Sequence, residues 1–523
     1  MHDKRYRQRR ASVLVVVLLA VTMVSLLAYY FADSMVLETV MCSEHQRDAS
    51  MRWTCRSGVE YSAWALDESK DKNRNIHSNP KLFQGQAIKH RTAKSTYFSV
   101  LSIHAPDENE NRFGLFDESG KLNVNSLDLR PQVLEESRAR LVRIPGVTIQ
   151  IADAILDFID ADESPRPFGA ESSYYQSIST DLYALNRPLE SLDELLLVRG
   201  ITAELLYGED GNGNGWLDPN ENDGKGSLPI DNSDGKLDAG LSRHLTVLSR
   251  ESNISNELNP KINLNQSDLA KLYDELAQEF GDVIARFVVA YRMEGSIERE
   301  KEATSERVKL TVSQRELAAR QRAREQLGLE EDEELFRESK IRSGIELRPA
   351  SYRIRSLFDL FGVSTLVEIK GEDRVLDSPW PLHSEAIEVN FPILENKLTL
   401  ADGRFQLGRI NVKEATLPVL LSIPGMDQSL AESIVYAARN VSEETKSLGW
   451  LVRINNLDSE RLRKIGPYIT ASGDLFRACV VAEHPKSARK ILSSVILDRT
   501  FQPCRVTTLQ EQSFSAPHSW FDH

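Results

Sequence analysis

The chain has 523 residues, 41% hydrophobic and 27% charged, so it is long enough to bury a core in more than one domain and is not a disordered chain. Its formal net charge of -14 opposes attraction to phosphate backbones, because nucleic-acid affinity comes chiefly from Lys and Arg displacing condensed counterions. A nucleic-acid-binding role therefore starts at a disadvantage.

The first ten residues carry Lys4, Arg5, Arg7, Arg9 and Arg10 against Asp3, and Ser12 to Phe31 then runs without an ionisable side chain except Tyr29 and Tyr30. About 20 apolar residues, each rising about 1.5 Å, cover the roughly 30 Å hydrocarbon layer of a bilayer. This predicts a single span, with the basic cluster cytoplasmic and everything after Phe31 on the far side. A secretory signal peptide would instead close on a small-residue cleavage site. Here Met35, Val36, Leu37, Val40 and Met41 continue at helical spacing, and no Gly precedes Gly58 and no Pro precedes Pro80. The pattern predicts one helix from about Ser12 to about Leu66, half apolar and half amphipathic.

Four cysteines fall in this predicted oxidising compartment. Cys42 and Cys55 lie on one helix, separated by roughly 20 Å of rise, and cannot bridge. Cys479 and Cys504 sit in neighbouring strand-like runs, which leaves them as the candidate disulfide.

Beyond the helix, Tyr97 to His104 and Phe113 to Asn125 read as strands. The second leads into KLNVNSLD at Lys121, a phrase echoed by KINLNQSD at Lys261 and GRINVKEA at Gly408, which suggests a repeated unit. Two copies extend further: Ile144, Pro145, Gly146 and Val147 precede Ala152 and Ile155, and Ile423, Pro424, Gly425 and Met426 precede Ala431 and Ile434 at the same spacing. Each predicts a helix, a tight turn that needs Gly, and a second helix, the helix-hairpin-helix or SAM-like arrangement. SLDELLLVRG from Ser191 and SLGWLVRI from Ser447 extend the likeness. In the middle copy Gly281 falls at a different place, so that copy reads as degenerate or coincidental. Met293 to Arg348 is dense in Glu, Arg and Lys and reads as a solvated, partly helical insertion or linker. Phe476 to Ala482, Ile491 to Asp498 and Arg505 to Gln510 read as antiparallel strands.

The sharpest local motif is DGNGNGWLDPNE. Asp210, Asn212, Asn214, Asp218 and Glu221 occupy positions one, three, five, nine and twelve, with Gly215 at six and the Trp216 carbonyl at seven. That spacing wraps oxygens around a hard cation and favours calcium over a plain Asn-Gly turn. Helix Ala203 to Tyr207 enters correctly, but Asn222, Asp223 and Gly224 make a poor exit helix, so a calcium-stapled loop is expected and not a calcium switch. DNSDGKLD from Asp231 lacks the first ligand and reads as a surface turn.

The segment DFIDADESPRPFGAESSYY around Asp160, followed by SLDELLLVRGIT, resembles a phrase of the minor pseudopilins of the K class in type II secretion (general secretion pathway protein K family). The basic leader, the apolar helix and the hairpins fall where that family has them. The resemblance implies cleavage by a prepilin peptidase between Ala11 and Ser12, with methylation. Val16 stands where most pseudopilins carry Glu, and the K class is the one known to lack that Glu. It further implies a pilin-like fold with a large helical insertion, a place at the pseudopilus tip beside the I and J minor pseudopilins and the inner-membrane platform, and calcium in the head. Asp160, Asp162, Glu163 and Glu171 suggest a further cation site, though a helix end in water explains the same acids equally well.

Arg138, Arg140 and Arg143 precede the first hairpin turn, where backbone amides could face phosphate, but Asp153, Asp157, Asp160 and Asp162 follow it, which favours a packing role. No His-Glu metalloprotease pattern, nucleophile elbow, CxxC or phosphate loop is present, and no enzyme activity is expected. The sequence thus predicts an α+β protein: leader 1–11, pilin helix 12–66, a first part of the sheet 97–125, a first helical domain 126–292, the charged segment 293–348, a second helical domain 349–470 and closing strands 471–523. The function expected is initiation of the secretion pseudopilus. The alternative is a membrane-anchored helix-hairpin-helix protein binding DNA in competence-type uptake.

Overall fold

The computed structural model describes residues 3–72, 75–89, 95–103, 112–130, 133–215, 217–297, 341–441, 445, 447–485 and 489–515. The Trp216 carbonyl and positions 298–340 of the charged segment lie outside them. The ends of that segment do not behave as solvated linker, because Met293, Ile345 and Leu347 are core residues.

Helix α1, Asp3–Lys72, is unbroken because no Pro enters it and its one Gly lies late in its course. Its C-terminal part buries Met51, Cys55, Val59, Ala63 and Leu66, a stripe at helical spacing, against an antiparallel sheet. The strands are β1 (Gln86–Ile88), β2 (Thr96–Leu101), β3 (Phe116–Asp117), β4 (Leu475–Glu483), β5 (Arg489–Asp498) and β6 (Arg505–Ser515). They run in the order β1-β2-β4-β5-β6, with β3 also paired to β4. Cys479 therefore faces Leu101 on one side and Ser494 on the other. At Gly58 helix and sheet approach closely, since a Cβ there would stand 2.5 Å from Val480 Cγ1 and 2.9 Å from Phe98 Cδ2. Beside it the Cys55 thiol donates to the Ile491 carbonyl at 3.1 Å.

Two sequence expectations are corrected here. Phe113 to Asn125 is not one strand: Phe113 forms a bridge to Leu101, Phe116–Asp117 joins the sheet, and a 3-10 turn at Glu118–Gly120 redirects the chain before Leu122–Asn123. Nor are Cys479 and Cys504 a pair, and all four cysteines are free thiols. Cys479 lies opposite Ser494, which lies opposite Gln510, so Cys504 sits six positions along the sheet from its level, roughly 20 Å away.

Between β3 and β4 the chain builds three similar units. Each opens on a two-residue strand and closes on another that pairs with it in parallel: Leu122–Asn123 with Leu245–Thr246, Ile262–Asn263 with Leu398–Thr399, and Ile410–Asn411 with Ile469–Thr470. In every opening strand an Asn side chain accepts from the amide two residues on: Asn123 at 2.9 Å, Asn263 at 2.8 Å and Asn411 at 3.0 Å. In every closing strand a Thr hydroxyl does the same, at Thr246, Thr399 and Thr470. These local bonds stop each strand after two residues and turn the chain into the next element.

Inside each unit comes a helix pair: α2 (Leu134–Val142) and α3 (Ile149–Ile159), α4 (Leu269–Phe280) and α5 (Asp282–Glu294), α6 (Leu417–Leu421) and α7 (Gln428–Asn440). A Ser-capped 3-10 segment follows each pair, at Leu192–Leu197, Leu357–Leu360 and Leu448–Arg453. The middle unit is thus a full copy and neither degenerate nor coincidental. Its first helix runs directly into Gly281, so the glycine stands at another distance from KINLN than in the outer copies.

Gly146 and Gly425 hold the same left-handed conformation, φ +81° and +86°. Alanine at either position carries a backbone penalty of about 1–2 kcal/mol. Only at Gly146 does the added Cβ also meet a neighbour, Leu205 Cδ1 at 2.7 Å, whereas at Gly425 nothing comes closer than 3.5 Å. Gly146→Ala should therefore lose more stability than Gly425→Ala in urea unfolding, and equal losses would deny the close approach.

Candidate functional site

Three features could carry function, and the largest is the front of α1. From Val13 to Phe31 its large apolar side chains are 52–69% exposed, so among the described residues nothing covers them. The helix is long and apolar enough to cross a membrane. Exposure continues through Met35, Val36, Leu37, Val40 and Met41, and packing on the sheet begins only at Met51. Ala11 and Ser12, the expected processing pair, lie in α1 just ahead of the apolar stretch.

The second feature is the Asp210 loop. Helix Ala203–Tyr207 enters it and a single 3-10 turn, Pro219–Glu221, leaves it, so the exit helix is absent as the sequence implied. Asp210, Asn214 and Glu221 are buried. The Asn214 and Gly215 amides donate to the two Asp210 oxygens, each at 3.0 Å. Asn212 and Asn214 both donate to Asp218 Oδ2 at 2.8 Å, and the Asp218 amide donates to Glu221 Oε2 at 3.1 Å. Glu221 Oε1 is buried without a hydrogen-bond partner. Burial, with the neighbouring acids adding to it, lifts Asp210 to about 6 and Glu221 to about 7. Hard oxygen donors, a buried carboxylate oxygen lacking a donor and two acids that resist ionisation fit a calcium-type cation.

Gly215 has φ +72°, and a Cβ on it would lie 1.9 Å from Ile103 Cγ2, just past β2. The loop thus presses against the end of the sheet. In DNSDGKLD the acids close turns instead: Asp231 accepts from the Asp223, Gly224 and Ser233 amides, and Asp234 from Lys236.

The third feature lies at the end of α3. Among the described residues, Asp157, Asp160 and Glu171 form a group in which one carboxylate oxygen of each lies within 4.8 Å of the others. Arg166 bonds Asp157 and, at 2.8 Å, Asp160 Oδ2, while its amide donates to Asp157 Oδ2 at 3.1 Å. Of the four acids singled out in the sequence, only Asp160 and Glu171 meet here. Asp162 is exposed and accepts from Ser164, and Glu163 turns outward to Ser172 and Asn186. The sequence reading missed Asp157, although Asp153 and Asp157 on the otherwise apolar α3, one turn apart, were a visible signal of buried acids.

Two of the three basic residues before the first hairpin turn are engaged inside the protein, while Arg143 is exposed. Arg138 pairs with Glu135 and lies 3.5 Å from Asp153, and Arg140 is buried against the Tyr468 ring. The first two are thus taken up internally, so the DNA-binding alternative is not favoured.

A long, uncovered apolar helix, long enough to cross a membrane, carries a mixed helix-and-sheet body. Residues 120–207 match the family model described as Type II secretion system (T2SS), protein K. That stretch, which holds the first helix pair and the Asp157 group and stops short of the Asp210 loop, is similar to the protein K family, in line with the resemblance read from the sequence. A protein of Escherichia coli (strain K12), provisionally named type II secretion system protein K, is 42% identical over 60 residues, 12% of this chain. The matched stretch spans 18% of that relative's length. A chain of the GspK-GspI-GspJ complex from the enterotoxigenic Escherichia coli Type 2 Secretion System aligns with 90% of this chain and 98% of its own length. At 12% identity and a TM-score of 0.34 that superposition is too loose to bear on fold or assembly.

Proposed function

We propose that the chain is a minor pseudopilin of a type II secretion system that initiates the pseudopilus and sits at its tip. The observation that carries this reading is the apolar stretch Val13 to Phe31, uncovered on the same helix that farther on packs against the sheet. Such a stretch can lie in the inner membrane and, on assembly, leave it to pack against the helices of neighbouring subunits. The basic cluster at Lys4 to Arg10 keeps the N-terminus cytoplasmic and the body periplasmic. The three units form a bulky crown on a pilin-like sheet, which suits a subunit with none above it. Its partners in this reading are the I-class and J-class minor pseudopilins, the secretion platform of the inner membrane, and the prepilin peptidase that cuts between Ala11 and Ser12. The role is one of packing and shape, without catalysis.

The test is extraction from membranes in detergent. The full chain should co-purify with I-class and J-class pseudopilins, and its N-terminal residue should be Ser12 when the peptidase is present and Met1 when it is not. A mature chain that is freely soluble and begins beyond Phe31 would end the proposal.

In the same reading the Asp210 loop holds calcium through Asp210, Asn212, Asn214, the Trp216 carbonyl, Asp218 and Glu221, and braces the crown against the sheet at Ile103. Calcium at 100 times its dissociation constant should add about 2.7 kcal/mol to unfolding. Glu221→Gln should weaken binding and remove most of that gain, as read by thermal melts with and without a chelator. An unchanged gain would take Glu221 out of the ligand set.

A further inference from the structure

We propose that Asp157, Asp160 and Glu171 form a separate site for a hard divalent cation, buried beneath the loop that follows α3. The acids alone would not support this, because helix ends collect carboxylates without metals. The deciding observation is Glu171. It is only 1% exposed, one of its oxygens lies within 4.8 Å of an oxygen of Asp157 and of Asp160, and both of its carboxylate oxygens lack a hydrogen-bond partner. Asp160 Oδ1 is likewise buried and unpartnered. A buried carboxylate normally finds donors, and leaving one without them is costly.

The geometry divides the oxygens into two sets. Arg166 takes Asp157 Oδ1 and Asp160 Oδ2 from one side and thereby fixes both acids. The unmet oxygens, both of Glu171 and Oδ1 of Asp160, remain for a ligand. Three carboxylates against one guanidinium leave two negative charges uncompensated, which matches a divalent cation better than a second hydrogen-bond donor. An all-oxygen donor set selects calcium, magnesium or manganese over zinc or copper. The loop is also shaped to come this close: a Cβ at Gly169 would stand 1.8 Å from Asp157 Oδ2. Glu171 directly precedes the helix Ser172–Ile178, without a side-chain bond to it, so an ion here would tie the end of α3 to that helix.

The site is independent of the assembly role and of the Asp210 loop, and the experiment separates it from both. The full chain in detergent, carrying Glu221→Gln, is dialysed against millimolar calcium and, separately, magnesium, and bound metal is counted by mass spectrometry. With Glu171→Gln added, the count should fall by one equivalent, and the thermal shift that calcium still gives the Glu221→Gln chain should vanish. Glu171→Gln removes a buried negative charge, so without metal it should melt no lower than its parent, which separates lost binding from lost folding. If Glu171→Gln leaves the count unchanged, or if the Glu221→Gln chain shows neither bound metal nor a thermal shift with either ion, the proposal is overturned.

Discussion

Glu118→Ala should lower the unfolding free energy by about 3 kcal/mol or more, because it removes the acid that pairs Arg477 and Lys121 in a buried ion cluster. Glu118 opens the 3-10 turn just after β3 and is fully buried. It bonds Arg477 on β4 at 2.6 Å and the Thr246 hydroxyl of the first unit at 2.7 Å, with Lys121 at 3.9 Å. It therefore pins the sheet to the crown. Burial alone would raise its carboxyl, but Arg477 and Lys121 outweigh burial and hold it at about 2. In the variant Lys121, which burial already pulls down to about 8, can shed its proton, whereas Arg477 cannot. Arg477 is 28% exposed and keeps some access to water, which places the loss toward the lower end of the usual range.

The pH dependence carries a definite sign. An acid depressed on folding contributes stability above its unfolded pKa and loses it as pH falls toward the folded value. The part of the gap that the Glu118 carboxylate itself supplies should shrink as pH falls between about 4.5 and about 2. Urea unfolding of the detergent-held chain at several pH values reads this directly. Glu118→Gln, which keeps a polar side chain for Thr246, should lose less, and a gap that stays flat down to pH 3 would remove the ion cluster from the account.

Gly58→Ala sets two known effects against each other. In a helix, Gly to Ala gains about 1 kcal/mol of propensity. Here the new Cβ would press on Val480 and Phe98, both buried, and overpacking of that kind costs about 1–3 kcal/mol. A net loss is expected, larger for Gly58→Leu, because neither neighbour is a flexible chain end that can swing away. Val480→Ala should relieve part of the loss when combined with Gly58→Ala, so the double variant should be more stable than the sum of the two losses implies. A Gly58→Ala chain more stable than its parent would mean that helix and sheet are farther apart than the structure has them.

Several features were readable from residues because their causes are local. The apolar run from Ser12, the Ile-Pro-Gly turns and the alternating strands near the C-terminus each carry their own periodicity or turn chemistry. The oxygen spacing of the Asp210 loop is local too. What escaped was non-local. The middle unit was hidden because α4 runs straight into Gly281, and its Ser356-capped segment lies far downstream, beyond the charged stretch. The Asn and Thr bonds that mark all three units are each local, yet their common role shows only when Asn123 meets Thr246, Asn263 meets Thr399 and Asn411 meets Thr470. Glu118 and Arg477 are too far apart in sequence for any pattern to join them, and the Glu171 group depends on how the loop at Arg166 folds back.

The sheet closes only when β4 pairs with β2, and the whole crown is strung between those two strands. Non-local pairing of this kind is slow, since loop closure must come before its contacts return any stabilisation. The three units can fold while Met51, Cys55, Val59 and Leu66 still lack the strands that cover them. Until β4 to β6 are in place that sticky stripe stands bare, a window in which a chaperone could hold it.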